Sequence, residues 1–407
     1  MKETLRALFV STYPPRVCGI GTFTKDLTAN MRKEVAWIRP RIAAIDIADD
    51  DDIEYADEVV CRVRNRRRDA YASFADRVNR SHYDVVCVQH EFGLFPGEWG
   101  KDIIDFYAIC KKPIVTTLHT VLPGCPDLPR KIIRIMVKNS LATVVMARVG
   151  VEMLRSYYGI GPAKVAVIPH GVPSFRRVGG LAAKRMLGLQ SREVVSNFGL
   201  LSRGKGLEYM IAAMAEVVRE RPNAICCILG QTHPQVKKRE GESYRQELRQ
   251  MVLALGLQNH VQFVDRFLTD RELAVFLEAT DVYVTPYVGA DQITSGTIAR
   301  AVFFGKAIVS TPFLYATELL ADGRGRLAPF KDSAALARQV TVVLSDDVLR
   351  ARLGANARAY GRGMSWEAVA RKYARVLREV KSTGRVRTPV VVPGRIHLPQ
   401  PPQLQAT

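Results

Sequence analysis

Short apolar runs separated by longer stretches with apolar residues at every third or fourth position recur along the whole chain. In the first half the runs fall at 5–11, 59–62, 84–89, 113–118, 143–146 and 165–168; in the second they fall at 194–198, 224–229, 261–263, 282–285 and 307–310. They are near-continuous rather than alternating, as strands buried on both faces are. The amphipathic stretches between them read as helices, so the pattern predicts a parallel sheet covered by helices on both faces, twice over. Residues 173–189 mix Pro, Gly and Arg without a period and are expected to link a first domain, 1–172, to a second, 190–364. Ser365-Trp366-Glu367 then opens a helix predicted over 365–381, with Val369, Tyr373, Val376 and Val380 on its apolar side and Glu367 in its first turn. The basic, proline-rich segment 382–407 has few core-forming residues and is expected to be disordered.

Two domains are also the natural division of 407 residues, and 47% hydrophobic residues suffice for two cores. No uncharged apolar run approaches the ~18 residues of a membrane helix, and the N-terminus runs directly into the strand at 5–11 without a signal-peptide pattern, so a cytoplasmic location is expected. The seven cysteines show no metal-type pairing; Cys87, Cys226 and Cys227 lie inside apolar runs and read as small buried hydrophobes.

Charge narrows the partners. Lys plus Arg number 59 against 40 Asp plus Glu, a net charge of +19 that favours nucleic acid, anionic lipid or phosphorylated substrates. No zinc finger, helix-turn-helix signature or aromatic RNA-binding motif supports the first, and no nucleic-acid partner is expected. One basic cluster is Arg62, Arg64, Arg66, Arg67 and Arg68. A second places Arg130, Arg134 and Lys138 four residues apart, with Ile132, Ile133, Met136 and Val137 between them. That helix is either a solvated face or a peripheral contact with an anionic membrane, at its inner face, with its cationic heads at the phosphate level. The acidic run Asp49 to Asp52 reads as a solvated loop, because four consecutive acids do not converge on one point, and no metal site is expected.

In open parallel sheets ligands bind beyond the carboxyl ends of the strands, so candidate residues are those that directly follow a predicted strand. After 282–285 comes a small-residue turn and a helix start at which the amides of Ser295, Gly296 and Thr297 are unpaired, beside the positive end of the helix dipole. A phosphate is held there without a metal; the alternative is a well-capped helix and nothing more. After 5–11, Gly19 and Gly21 let backbone approach a ligand closely, although Thr24 stands where a dinucleotide fingerprint needs a third glycine, and a tight strand-to-helix turn accounts for them equally. His119 follows 113–118 and His90-Glu91 follow 84–89, as site histidines or as hydrogen-bonded structural ones. In the second domain Ser202-Arg203-Gly204-Lys205-Gly206 follows the first strand, where Arg203 and Lys205 can neutralise a diphosphate.

Taken in order, the glycine turn Gly19 to Gly21, His119, Ile168-Pro169-His170-Gly171-Val172, Gly199 with Lys205-Gly206, Glu272-Leu273 ahead of Ala279-Thr280-Asp281-Val282, Gly305-Lys306 and Ser365-Trp366-Glu367 resemble the retaining GT-B glycosyltransferases of family 4, whose members are often named group 1 transferases. The resemblance runs from about residue 5 to residue 381. It implies an α/β GT-B fold in which two Rossmann-like, doubly wound parallel-sheet domains face each other across a cleft. The first would lie on the acceptor side, the second would bind the nucleotide sugar, and helix 365–381 would cross back to the first. The activity implied is transfer of a hexose, mannose or glucose, from a GDP- or UDP-sugar to a glycan or lipid-linked acceptor of envelope polysaccharide synthesis, with retention of configuration and with neither metal nor cofactor. His119 would place the sugar; Lys205 and Arg203 would stabilise charge; Gly19, Gly21, Gln292, Ser295, Gly296, Thr297 and Arg300 would line the donor site.

Departures from the family pattern carry information of their own. Most members have a Glu-x7-Glu pair, and alignment on Gly305 puts Gln292 and Arg300 at those places. Gln292 can still hydrogen-bond a sugar hydroxyl, whereas Arg300 is a donor only and reverses the charge where the family holds the ribose. Leu200 replaces an arginine that usually accompanies Lys205, with Arg203 as the compensating cation. Two further readings therefore remain: a sugar phosphorylase on the same fold, and a catalytically silent carbohydrate- or nucleotide-binding protein.

Overall fold

The computed structural model describes residues 4–16, 18–46, 53–65 and 69–384. The acidic run Asp49 to Asp52, Arg66, Arg67 and Arg68 of the first basic cluster, and residues 385–407 of the proline-rich segment lie outside the described residues. The chain forms two compact units, unit 1 comprising Met1–Gly171 with Trp366–Thr407, and unit 2 comprising Val172–Ser365.

Unit 1 is built on strands β1 (Leu5–Ser11), β2 (Ile38–Asp46), β3 (Val59–Arg64), β4 (Val85–His90), β5 (Ile114–Leu118), β6 (Ala142–Val145) and β7 (Val165–Val167), in the order β3-β2-β1-β4-β5-β6-β7 with every pairing parallel. Unit 2 has β8 (Glu193–Phe198), β9 (Ala224–Leu229), β10 (Val261–Val264), β11 (Val282–Thr285), β12 (Ala307–Ser310) and β13 (Arg326–Leu327), in the order β10-β9-β8-β11-β12-β13, again all parallel. The expected doubly wound α/β architecture is present in both. Strand order reverses between β1 and β4 in unit 1 and between β8 and β11 in unit 2. At such switch points the connections leave in opposite directions and a crevice opens beyond the carboxyl ends of the strands.

In unit 1 the helix Gly19–Glu34 buries Phe23, Leu27 and Met31 against Trp366, Tyr373 and Leu377 of the helix Trp366–Thr383, within one core. Trp366 is only 3% exposed, and a Cβ added at Gly171 would lie 2.0 Å from its Cε3 atom. Gly171→Ala is therefore expected to destabilise unit 1 by about 1–3 kcal/mol or more through overpacking. A urea-denaturation midpoint equal to that of the unaltered protein would contradict this.

Three expectations need correction. Strand β2 escapes the apolar pattern because Arg39, Pro40 and Arg41 interrupt it; the arginines are exposed at the strand's entry, while Ile42 to Asp46 are buried. Residues 173–189 are no free linker but contain the helix Gly180–Met186, too short to show a period. The Glu278 carboxylate accepts from the Val178 and Gly179 amides at 3.0 and 2.5 Å, and Lys184 pairs with Asp281 at 2.6 Å, so the segment is part of unit 2. Finally, the helix Asp127–Asn139 spends most of its apolar side on the core, with Ile132, Ile133 and Met136 fully buried, so its apolar residues are not the free stripe the sequence pattern suggested. Arg130 donates to the Cys125 carbonyl at 3.1 Å, while Lys131, Arg134 and Lys138 are exposed. Among the described residues no helix is long and apolar enough to cross a membrane. Cys87, Cys226 and Cys227 are buried and free.

Candidate active site

The switch point of unit 2 is shaped by glycines. Gly199, just past β8, has φ of +139°, and a Cβ there would lie 3.3 Å from the Thr297 methyl. Gly206 follows a single 3-10 turn, Arg203–Lys205, in the left-handed conformation (φ +63°), and a Cβ would sit 2.1 Å from the Pro286 carbonyl oxygen. Only glycine lets the loop after β8 lie this close to the loop after β11. The close approach brings Lys205 to Tyr287: the ammonium donates to the phenol oxygen at 2.6 Å and stands 4.0 Å from the ring centroid. The Tyr287 ring is stacked on Phe313 at 4.9 Å and 21°, and its carbonyl accepts from the Thr311 hydroxyl at 2.6 Å.

From the phenol oxygen the network reaches Thr297 Oγ1 at 2.9 Å and Ser295 Oγ at 3.3 Å, and those two hydroxyls are 3.0 Å apart. Ser295 is the N-cap of the helix Gly296–Phe303, but its side chain makes no capping bond. The first-turn amides thus keep their outward direction beside the positive dipole end, and hydroxyls and ammonium gather in front of them.

Lys205 is half-buried and, among the described residues, has no carboxylate partner. A cation withdrawn from water without a counter-ion is costly unless an anion arrives. Burial opposes ionisation of Tyr287, but the Lys205 charge, followed by hydrogen bonds from Lys205, Ser295 and Thr297, outweighs it and holds the phenol below the usual tyrosine range. His233 lies in the loop beyond β9, after Gly230, Gln231 and Thr232, too far from the strand end for the sequence pattern to single it out. Its Nδ1 accepts from the Gln235 amide at 3.2 Å; burial, Lys205 and Arg239 depress the imidazole, which favours its neutral form. Tyr287 had a weak signal, an aromatic two residues beyond a buried strand.

Unit 1 collects its own candidates at strand ends. A Cβ at Gly21 would meet the Thr12 carbonyl oxygen at 3.2 Å, so the helix start lies tight against the end of β1, whereas one at Gly19 meets nothing within 4 Å. His119 Nε2 is 3.0 Å from Gln89 Oε1; the amide oxygen only accepts, so Nε2 carries the hydrogen. Phe23 presents its edge to this ring at 4.9 Å. Burial, then the neighbouring His170 and His90, lowers His119 to about 3, and burial alone does the same for His90, which stacks on Phe95 at 5.6 Å. Both imidazoles are neutral at physiological pH and suited to hydroxyl groups rather than to phosphate. The Gln89 amide nitrogen and both ring nitrogens of His90 are buried and have no hydrogen-bond partner among the described residues. Burial raises the Glu91 carboxyl, while the Thr120 hydroxyl and the Phe92 amide donate to it.

Two family models divide the chain between them, Glycosyltransferase Family 4 over residues 19–174 and Glycosyl transferases group 1 over residues 184–360. The chain belongs to the family 4 glycosyltransferases. Among its relatives, a phosphatidyl-myo-inositol mannosyltransferase of Mycolicibacterium smegmatis is 28% identical over 181 residues, 44% of this chain and 43% of that protein. The chain therefore matches less than half the length of that relative. A D-inositol 3-phosphate glycosyltransferase of a Nocardioides species is 26% identical over 326 residues, 74% of this chain and 68% of that protein. HepE of Anabaena, solved in complex with UDP, shares the fold with a TM-score of 0.72 at 18% identity, covering 92% of this chain and 100% of that one.

Within this family 4 glycosyltransferase, Ser295, Gly296, Thr297 and Lys205 come together and the other unit 2 candidates do not join them. Arg203 is tied bidentately to Glu247 at 2.7 and 2.6 Å, lies 3.6 Å from Glu240 and covers the Tyr244 ring at 5.2 Å. In this arrangement it is engaged by these carboxylates and does not stand with Lys205. Arg300 pairs with Asp270 at the start of the helix Asp270–Ala279, so this cation is neutralised. Gln292 is exposed and donates to the Thr294 carbonyl at 2.9 Å within its own loop.

Proposed function

We propose that this chain transfers a hexose from a nucleotide diphosphate sugar to a glycan or lipid-linked acceptor with retention of anomeric configuration. The reading rests on one observation above all: the half-buried Lys205 ammonium, lacking a carboxylate partner among the described residues, stands with the Ser295 and Thr297 hydroxyls before a helix N-terminus at the β8/β11 switch point. A diphosphate supplies the counter-charge that this arrangement lacks. As the bond to the sugar breaks, Lys205 and the amides of Ser295, Gly296 and Thr297 stabilise the charge growing on the leaving diphosphate, which takes the acceptor's proton on the same face. The resemblance assigns His119, held neutral, a hydroxyl of the transferred sugar, and gives Gln292 the same role once it leaves the Thr294 carbonyl. Arg203 takes no part, and the ribose is gripped without the family's second glutamate. The mannosyltransferase relative favours mannose over glucose, and the acceptor belongs to envelope polysaccharide synthesis.

Because lysine and helix amides carry the diphosphate charge in this scheme, turnover is expected to persist in excess chelator; strict dependence on magnesium or manganese would contradict it. The decisive assay incubates the protein with GDP-mannose and with UDP-glucose, follows release of nucleoside diphosphate, and reads the anomeric proton of the first-formed product by NMR. An α-configured product from an α-linked donor supports the proposal. A β-configured product, phosphate-dependent cleavage without use of the nucleotide, or nucleotide binding without turnover would overturn it in favour of inversion, a phosphorylase or a silent binding protein respectively.

A further inference from the structure

We infer that Tyr287 is a positioning residue of the anion site, its phenol aiming the Lys205 ammonium at the start of the helix Gly296–Phe303 and, when ionised, withdrawing that cation from service. The inference rests on the diphosphate reading given above. An ammonium is a flexible point charge on a four-carbon stem and needs a partner to fix its direction. Here the partner is a phenol oxygen at 2.6 Å rather than a carboxylate, so Lys205 is oriented without losing its charge. Tyr287 is itself only 2% exposed and clamped by the Phe313 stack and the Thr311 hydroxyl, so it acts through Lys205 and not by reaching a ligand. Accepting from Lys205, the phenol sends its own hydrogen to Thr297 or Ser295, which ties the ammonium to the two hydroxyls at the helix start. Leu200 removes the second cation expected beside Lys205 and Arg203 is bound to Glu247, so the aim and charge of this one ammonium decide the affinity.

Loss of the phenolic proton converts the arrangement into an ion pair. Phenolate and ammonium then neutralise each other, and a bound diphosphate loses its counter-charge. The titratable groups facing the phenol are Lys205, which favours its ionisation, Tyr283, whose own phenol burial holds well above the usual range, and His233, near Lys205, which is depressed.

Calorimetric titration with GDP and with UDP across pH 6.5 to 10.5 tests this on the full chain. Wild-type affinity is expected to fall on an alkaline limb lying below the usual tyrosine range. In Tyr287→Phe, which keeps the ring stack, that limb is expected to be absent and affinity at neutral pH to drop roughly three- to tenfold, as for loss of one hydrogen bond. Equal affinity and an unchanged pH profile in a Tyr287→Phe protein of normal melting temperature would overturn the inference while leaving the diphosphate site intact. Absence of nucleoside diphosphate binding to the wild type at every pH would instead remove the reading on which the inference rests. Should Tyr287→Phe fail to fold, Thr297→Val supplies the second arm: removing a hydroxyl that donates to the phenolate is expected to move the limb to higher pH, and an unmoved limb counts against the inference.

Discussion

Replacing Lys205 by alanine is expected to lower affinity for GDP or UDP by about 1.5–3 kcal/mol, roughly ten- to over a hundredfold, the loss that follows from removing a charge-assisted hydrogen bond in a partly desolvated setting. The effect is large because the ammonium stands alone: Leu200 is apolar and Arg203 is held by Glu247 and Glu240. Folding is not expected to suffer, since deleting a half-buried cation that has no carboxylate partner among the described residues removes a desolvation cost, and Tyr287 keeps Thr297, Ser295 and Phe313. Arg203→Ala provides the contrast. Its guanidinium lies on the exposed surface in pairs of the kind that contribute little, and nucleotide affinity should not change. Calorimetry with both variants, alongside their melting temperatures, checks the pair of statements. Unchanged affinity in a folded Lys205→Ala protein would exclude Lys205 from the site.

The second large effect concerns acid. His90 and His119 are fully or almost fully buried, and each is lowered from 6.5 to about 3. Below pH 6.5 the unfolded chain binds protons at both positions while the folded chain does not, so stability is lost as pH falls from 6.5 toward 3. Stability changes by about 1.4 kcal/mol per pH unit for each proton by which the two states differ, which amounts to about 2 kcal/mol per histidine, and about 4 kcal/mol for the two, between pH 7.5 and pH 5. That window lies above the ordinary titration of carboxylates, and His233, also lowered, acts in the same direction. Urea-denaturation midpoints at the two pH values measure it. His90→Gln should flatten the dependence by about half, and equal stability of the unaltered protein at both values would show that these histidines are not buried in the neutral form.

Strands were legible where apolar residues run without interruption: β1, β9, β11 and β12 fall where the pattern puts them, because a strand covered on both faces has no exposed position to break the run. Strand β2 was hidden by Arg39, Pro40 and Arg41, whose exposure at the strand's entry imitates a loop. The two-residue β13 and the seven-residue helix Gly180–Met186 are too short to establish a period. For the site, Lys205, Ser295, Gly296 and Thr297 could be found because each sits next to a glycine or a strand end in sequence. Arg203 stood equally close to the glycines, yet its fate was decided by Glu247 in a helix 44 residues away, and that of Arg300 by Asp270, 30 residues away. Tyr287 acquires meaning only when the Gly206 turn brings Lys205 to it across 82 residues, a pairing no local pattern records.

The most direct test of the central claim is a crystal structure of the protein with GDP or UDP bound. The account predicts the diphosphate in front of the helix Gly296–Phe303, with a phosphate oxygen within hydrogen-bonding distance of Lys205 Nζ and others facing the Ser295 to Thr297 amides, while Arg203 stays on Glu247. A nucleotide seated elsewhere in unit 2, or at this helix start with Lys205 turned away from its phosphates, would contradict it.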